Sequence, residues 1–251
     1  MYHFLCQERY DKYIVRGVTR IWLALLLVML GRSTYFYITG LGRMWSKNSL
    51  LVPRIITKIL IYIYSLLGGI VIVQNEDDRN ELNVSSQLVR GSGLENRVVE
   101  RDYLSKDVVY ASRLLKSKGV EDVLQFAELC SIDSEVKVHI FGDLKEASKD
   151  VKNRIATLQA KKKIVFHCSR DIEFILEKAA FAFYPTKYRE GIPRFLIQGV
   201  RAGMIPVCTP VAGCKDILQN TESHVYVDVN EFLKFIERIS YYDLKTMGYH
   251  N

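Results

Sequence analysis

From about residue 108 the chain alternates short β-branched or aromatic runs with amphipathic ones, and this alternation constrains the fold more than anything else in the sequence. "VVYAS" (108–112), "VKVHIFG" (136–142), "KIVFHC" (163–168), "FAFYPT" (181–186), "IPVCTP" (205–210) and "VYVDV" (225–229) read as strands. Between them, "GVEDVLQFAELC" (119–130) carries apolar residues at helical spacing, and "DLKEASKDVKNRIATLQA" is a charged surface helix. Further helical segments are expected at 171–179, 192–203, 213–219 and 230–240. Strands that alternate with helices imply an α/β protein with a parallel, doubly wound sheet covered on both faces. Ligands of such sheets bind at the carboxyl ends of the strands, where loops lead into helix N-termini.

Residues 1–95 read as a second α/β body with only two or three units. A helical run over about 12–30 leads to a strand "STYFYITG" (33–40), a glycine turn, a long apolar helix and a strand "IVIVQN" (70–75). "GSG" (91–93) is a candidate linker. The organisation expected is therefore 1–95 for a partial first domain, 96–235 for a complete second one and 236–251 for a tail.

The 251 residues, 49% of them hydrophobic, suffice for large cores. A net charge of +7 suits an anionic partner such as nucleic acid, a phosphorylated small molecule or an acidic membrane surface. No aromatic–basic recognition motif accompanies the charge, which argues against nucleic acid. The five cysteines (Cys6, Cys130, Cys168, Cys208, Cys214) include no C-x-x-C pair, so a reducing compartment is expected, with neither zinc nor a disulfide framework. Cys214 alone sits where a loop would expose it. Two apolar runs, 21–30 and 59–73, are short of the roughly 20 residues of a spanning helix. They read as core segments or as segments that lie on a membrane.

Several residues could carry chemistry. In "SRLLKSKGVEDVL", Arg113 ends the first strand of the alternating region and Lys118 precedes Gly119 and the helix. Both would project from a strand's carboxyl end beside free helix N–H groups, a fork and a point charge suited to a diphosphate. The alternative is two solvated loop residues. In "KYREGIPRFLIQGVRAG" (187–203), Pro193 suits the first turn of a helix. Glu190 and Gly191 would then sit at or just before its cap, and on these residues alone capping suffices to explain the acid. Gln198 falls on the polar side with Arg194 and Arg201. His167 ends a strand, where it is either a site residue or simply hydrogen-bonded. Lys161–Lys163 reads as a solvated turn, and "NEDD" (75–78) lacks the spacing of a calcium loop. Neither a P-loop nor a dinucleotide G-x-G-x-x-G occurs.

Taken together and in this order, "YASRLLKSKGVEDVLQFA", "VHIFGD" and "FAFYPTKYREGIPRFLIQGVRAGMIPVCTPVAGCKDIL" resemble the second domain of the retaining GT-B glycosyltransferases of family 4, over about 107–230. "ITGLGRMW", "VIVQNEDD" and "GSGLE" resemble the latter half of that family's first domain, particularly in transferases that build bacterial surface polysaccharides. The resemblance implies a GT-B fold with a truncated first domain, and an open sheet edge facing a partner chain or membrane. It implies that Arg113 and Lys118 hold the diphosphate of a nucleotide-sugar donor, UDP-linked by family analogy, and that Glu190 lies by the transferred sugar. The backbone of Gly191, Ile192 and Pro193 would approach sugar and phosphate, and the loop near Arg170–Ile172 the base. The ribose-gripping glutamate of the family is replaced by Gln198, whose neutral hydrogen bond is weaker by about 1 kcal/mol. The reaction implied needs neither metal nor cofactor, takes a polyprenyl-diphosphate-linked glycan as acceptor, and runs at the cytoplasmic face of the inner membrane. A second reading is an inactive donor-binding fragment or a subunit that requires a partner chain.

Overall fold

The computed structural model describes residues 12–45, 49–91, 93, 105–130, 135–168, 172–176, 178–219, 224–226, 228–240 and 242–244. They divide into two units. The first is Met1–Ser92 with Arg189–Ile192, and the second is Gly93–Tyr188 with Pro193–Asn251.

In the first unit the order is β1 (Tyr13–Arg16), α1 (Ile21–Met29), β2 (Thr34–Ile38), α2 (Leu51–Leu66), β3 (Ile70–Val73), α3 (Glu76–Leu82) and β4 (Ser86–Leu88). All neighbouring strands pair in parallel, in the order β1-β2-β3-β4. The sequence reading of one helical run from residue 12 is corrected here, since "YIVR" pairs with β2 before α1 begins. Four residues are too few for helical and strand periods to be told apart.

Because each strand is added on the same side of the last, right-handed crossovers place the helices on one face. Burial agrees. Val15, Phe36, Ile38, Val71 and Val73 pack with Ile21, Ala24 and Leu27 of α1 and with Ile61 and Tyr64 of α2 in one cluster. The opposite face, where Ile14, Tyr35 and Ile70 lie in register, is less covered, and Ile14 is 71% exposed. The apolar runs are thus half core and half surface: Trp22, Met29, Ile55, Ile59, Tyr62 and Leu66 are exposed on α1 and α2. Among the described residues no helix is long and apolar enough to cross a membrane. "NEDD" turns out to be a helix start. The Asn75 side chain accepts the Asp78 N–H, and Glu76, Asp77 and Asp78 occupy the first turn of α3, where the helix dipole favours acids.

The second unit follows with β5 (Val108–Ala111), α4 (Val120–Leu129), β6 (Val138–Phe141), α5 (Lys149–Ala160), β7 (Ile164–His167), α6 (Glu173–Leu176), β8 (Phe181–Tyr184), α7 (Arg194–Arg201), β9 (Ile205–Cys208), α8 (Cys214–Leu218), β10 (His224–Val225) and α9 (Val229–Arg238). Its parallel sheet has the order β10-β9-β8-β5-β6-β7. This is the doubly wound pattern expected, and the order reverses between β5 and β8.

Alternate residues of the central strands serve two cores. Val108, Tyr110, Val138, Ile140, Phe181 and Phe183 pack against α4, α5 and α9. Val109, Phe141, Ala182 and Tyr184 pack against α6, α7 and α8. Burial on both faces is why these strands read as unbroken apolar runs.

Three details differ from the sequence reading. Cys214 is fully buried, whereas Cys168 is exposed. Lys163 is no mere solvated turn residue, because its Nζ donates to the Glu128 and Cys130 carbonyls at the end of α4. The end of "VYVDV" is a helix start: Val225 pairs with Cys208 and Tyr226 N–H donates to the Cys208 carbonyl, but Asp228 caps α9 through the Glu231 N–H.

Candidate active site

In the second unit the loop from β5 to α4 is built around a buried ring. The Tyr110 hydroxyl lies 3.1 Å from the Arg113 carbonyl and 3.2 Å from that of Lys118, within hydrogen-bonding reach of both ends of the loop. The strand ends at Ala111, two residues before Arg113, which is exposed. A 3-10 turn over Lys116–Lys118 then delivers the chain to Gly119, the N-cap of α4, at φ 78°.

Only glycine suits that position. A Cβ on Gly119 would lie 2.1 Å from the Pro185 carbonyl oxygen of the loop after β8. The two loops are also bonded directly, Lys187 N–H and the Thr186 hydroxyl both donating to the Ser117 carbonyl at 3.0 and 3.3 Å. Lys118 is buried, and its ammonium stands 4.6 Å from the centroid of the Tyr188 ring, a cation–π contact.

A cavity of about 740 Å³ opens at the carboxyl ends of β5, β6 and β7. Arg113 stands at its β5 end, Phe141 to Glu146 at its β6 end, Cys168 and Ile172 beyond β7, and Phe195 and Gln198 on α7. Arg113 and Gln198 therefore line one cavity, although 85 positions separate them in sequence. Lys118 is not among its lining. Charges of both signs face the space, with Asp143 and Glu146 against Arg113 and Lys145. Asp143 is also structural, its carboxylate accepting the Lys145 N–H at 2.8 Å. Of the loop expected near a base, Ile172 lines the cavity, and Arg170 lies outside the described residues.

His167 proves to be bonded. It stacks on Phe141 at 4.2 Å and faces His139, Nε2 to Nδ1, at 3.0 Å. His139 Nε2 is in turn 3.3 Å from an Asp107 carboxylate oxygen. With Asp107 accepting from His139 Nε2–H, the free His139 Nδ1 accepts from His167. Burial first, and then the neighbouring His139, hold the His167 pKa below the usual histidine value.

Glu190, Gly191 and Ile192 belong to the first unit, with Arg189. The Glu190 carbonyl accepts from Asn75 Nδ2 at 3.1 Å, Gly191 N–H donates to the Thr39 carbonyl at 3.0 Å, and Ile192 N–H to Gln74 Oε1 at 3.3 Å. Pro193, expected in the first turn, is instead the N-cap of α7, and that turn contains no acid. Glu190 lies three residues further out, so helix capping does not explain it. Sequence reasoning missed Gln74, Asn75 and Arg189. The signal available was the polar "QN" that follows an apolar strand.

A family model described as glycosyl transferases group 1 matches residues 96–242. No curated protein matches the chain in sequence. Among solved structures, a TarM variant from S. aureus in complex with fondaparinux, alpha-GlcNAc-glycerol and UDP is similar, with a TM-score of 0.77 and 17% identity over 98% of this chain. HepE from Anabaena in complex with UDP-glucose gives a TM-score of 0.74 and 12% identity, covering 96% of this chain and 72% of its own. Sucrose-phosphate synthase from Thermosynechococcus elongatus gives 0.78 and 15%, covering 98% and 69%. The chain spans about half the length of TarM, 52%. These identities speak for the fold, while the family match spans more than half of the 251 residues. The chain accordingly belongs to the glycosyl transferases group 1 family, and its parallel-sheet units are of the GT-B type.

Proposed function

We propose that this chain is a glycosyltransferase that moves a sugar from a UDP-sugar to a lipid-linked acceptor, with retention, in the synthesis of bacterial surface polysaccharide. The observation that carries the reading is the cavity beside the reversal of strand order, with Arg113 on one element and Gln198 on another. UDP is favoured as the nucleotide because TarM and HepE, both similar in fold, were solved with UDP or UDP-glucose.

In this reading the Arg113 guanidinium receives the donor's phosphates in a bidentate fork. As the sugar–phosphate bond breaks, charge builds on the leaving diphosphate, and a fixed cation stabilises it without reorganisation. Lys118, anchored over Tyr188, supports the same loop and adds positive potential. The Gln198 amide oxygen accepts from a ribose hydroxyl. Glu190 sets a carboxylate by the transferred sugar, where positive character develops, and the Gly191–Pro193 backbone follows the sugar and phosphate. The basic net charge and the exposed apolar residues of α1 and α2 support a peripheral location at the cytoplasmic membrane face. Failure of the protein to sediment with phosphatidylglycerol vesicles would count against that location.

Titration calorimetry with UDP, UDP-glucose, UDP-N-acetylglucosamine and GDP-mannose tests the donor site. Binding of a uridine nucleotide is expected, and Arg113→Ala weakens it by about thirtyfold, the loss of one charge-assisted contact of ~2 kcal/mol. No binding by any of the four refutes the donor reading. Transfer of radiolabelled sugar to a membrane lipid extract tests catalysis, with Glu190→Gln slower by about a hundredfold. Binding without transfer would mark a donor-binding subunit instead of an enzyme complete in one chain.

A further inference from the structure

The Glu190 turn is held by an ion pair whose energetics are those of a positioning device. Within the first unit Arg189 Nε donates to Asp78 Oδ1 at 2.8 Å, and Nη2 donates to the Asp77 carbonyl at 2.8 Å. Its Nη1 is 3.9 Å from Glu81, which itself pairs with Lys58 at 2.8 Å. The Asp78 side chain is fully buried and that of Arg189 is 24% exposed. The second Asp78 oxygen accepts from Asn75 Nδ2 at 3.1 Å, and the same amide nitrogen reaches the Glu190 carbonyl at 3.1 Å.

Asn75 is thereby used completely. Its oxygen caps α3, one amide proton goes to Asp78, and the other goes to the backbone of Glu190. On the other side of the segment, Gly42 N–H donates to the Arg189 carbonyl at 3.0 Å. The fit is close on the backbone side, since a Cβ on Gly191 would lie 2.8 Å from the Thr39 carbonyl oxygen.

This pair is a poor source of stability. Burial raises the Asp78 pKa despite Arg189 and Asn75, so desolvation outweighs what the partners return. Apolar residues in place of buried pairs often hold a fold as well, but they would not fix a carbonyl and a carboxylate-bearing turn in one register. We propose that Arg189 and Asp78 are a positioning pair that holds the Glu190 turn for sugar transfer. The function of the pair rests on the donor reading above. The nucleotide contacts proposed for Arg113 and Gln198 come from the second unit, so UDP affinity reads the donor site mainly through residues outside this turn.

The test compares the wild-type chain with Arg189→Met and with the double variant Asp78→Leu, Arg189→Met, which leaves no unpaired buried charge. Three quantities are read: amide exchange at Gly42, Gly191 and Ile192, affinity for UDP, and kcat and KM for UDP-glucose hydrolysis followed by UDP release. The double variant should melt near wild type and bind UDP within twofold. Its three amides should exchange at least tenfold faster, and kcat should fall at least thirtyfold while KM changes less than threefold. Wild-type exchange at those amides overturns the clamp, and wild-type kcat with fast exchange overturns its role in transfer. If the wild-type chain neither binds UDP nor hydrolyses UDP-glucose, the donor reading and with it the pair's role in transfer fail. The exchange rates still decide whether the pair holds the turn.

Discussion

Replacing Gly119 by alanine probes the junction at which the strand order reverses. Two costs arise. The residue sits at φ 78°, where an L side chain is strained by roughly 1 kcal/mol. The added Cβ would also lie 2.1 Å from the Pro185 oxygen and 2.6 Å from its carbonyl carbon. Ordinary contact begins near 3.4 Å, so that backbone must retreat by more than an ångström. It is not free to do so, because Lys187 N–H is bonded to Ser117 and the Thr209 hydroxyl to the Thr186 carbonyl. Overpacking of this kind costs about 1–3 kcal/mol, for a total of roughly 2–4. A fall in Tm of about 5–15 °C follows for a chain of this size. Gly68→Ala is the control, since Gly68 has φ +87° with nothing within 4 Å of its Cβ, and it should lose only about 2–4 °C. Scanning calorimetry on both variants, followed by UDP titration, separates the contributions. Gly119→Ala should also weaken UDP by about tenfold, because the Pro185 loop is bonded to Ser117 and the strain passes to the β5–α4 loop that carries Arg113, whereas Gly68→Ala should not. Equal melting of the two variants, or unchanged UDP affinity in Gly119→Ala, would refute the reasoning.

Two further outcomes are expected. Gln198→Glu should tighten UDP by about fivefold, the ~1 kcal/mol between neutral and charged hydrogen bonds, and should leave 2′,3′-dideoxy-UDP unaffected. Equal changes for both nucleotides would remove Gln198 from the ribose. The second concerns pH. The His167 pKa is lowered in the folded state, so between that value and the ordinary 6.5 the unfolded chain binds more protons. The associated stability is complete above about pH 6.5 and declines as the pH falls below it. Urea midpoints between pH 7.5 and 5 should show the decline, and His167→Phe, which can still stack on Phe141, should flatten it. An unaltered slope in the variant would exclude His167 as its source.

Much of the second unit was legible in sequence because its strands are buried on both faces and bounded by turn residues. "VVYA", "VHIF", "FAFY" and "IPVC" each form a strand where their apolar character placed one. Arg113 stands out in sequence by its position after a strand, and Gln198 only through the resemblance, which sets it where the family has a glutamate. Their sharing of one cavity depended on the sheet order, which no local pattern encodes. Lys118 was read as projecting alongside Arg113, yet it is buried under Tyr188, because the tight turn into Gly119 directs it inward.

The stretch around Glu190 shows the division most sharply. Sequence alone determined that a helix follows Pro193 and that an acid and a glycine precede it, because proline geometry and helical periodicity are local properties. Only the tertiary structure decided what those two residues do. Four residues from the middle of the second unit's sequence are bonded to Thr39, Gln74, Asn75 and Asp78 of the first. Partners more than 110 positions apart are selected by where the strands end and which backbone groups remain unpaired there, and neither is a property of the segment itself.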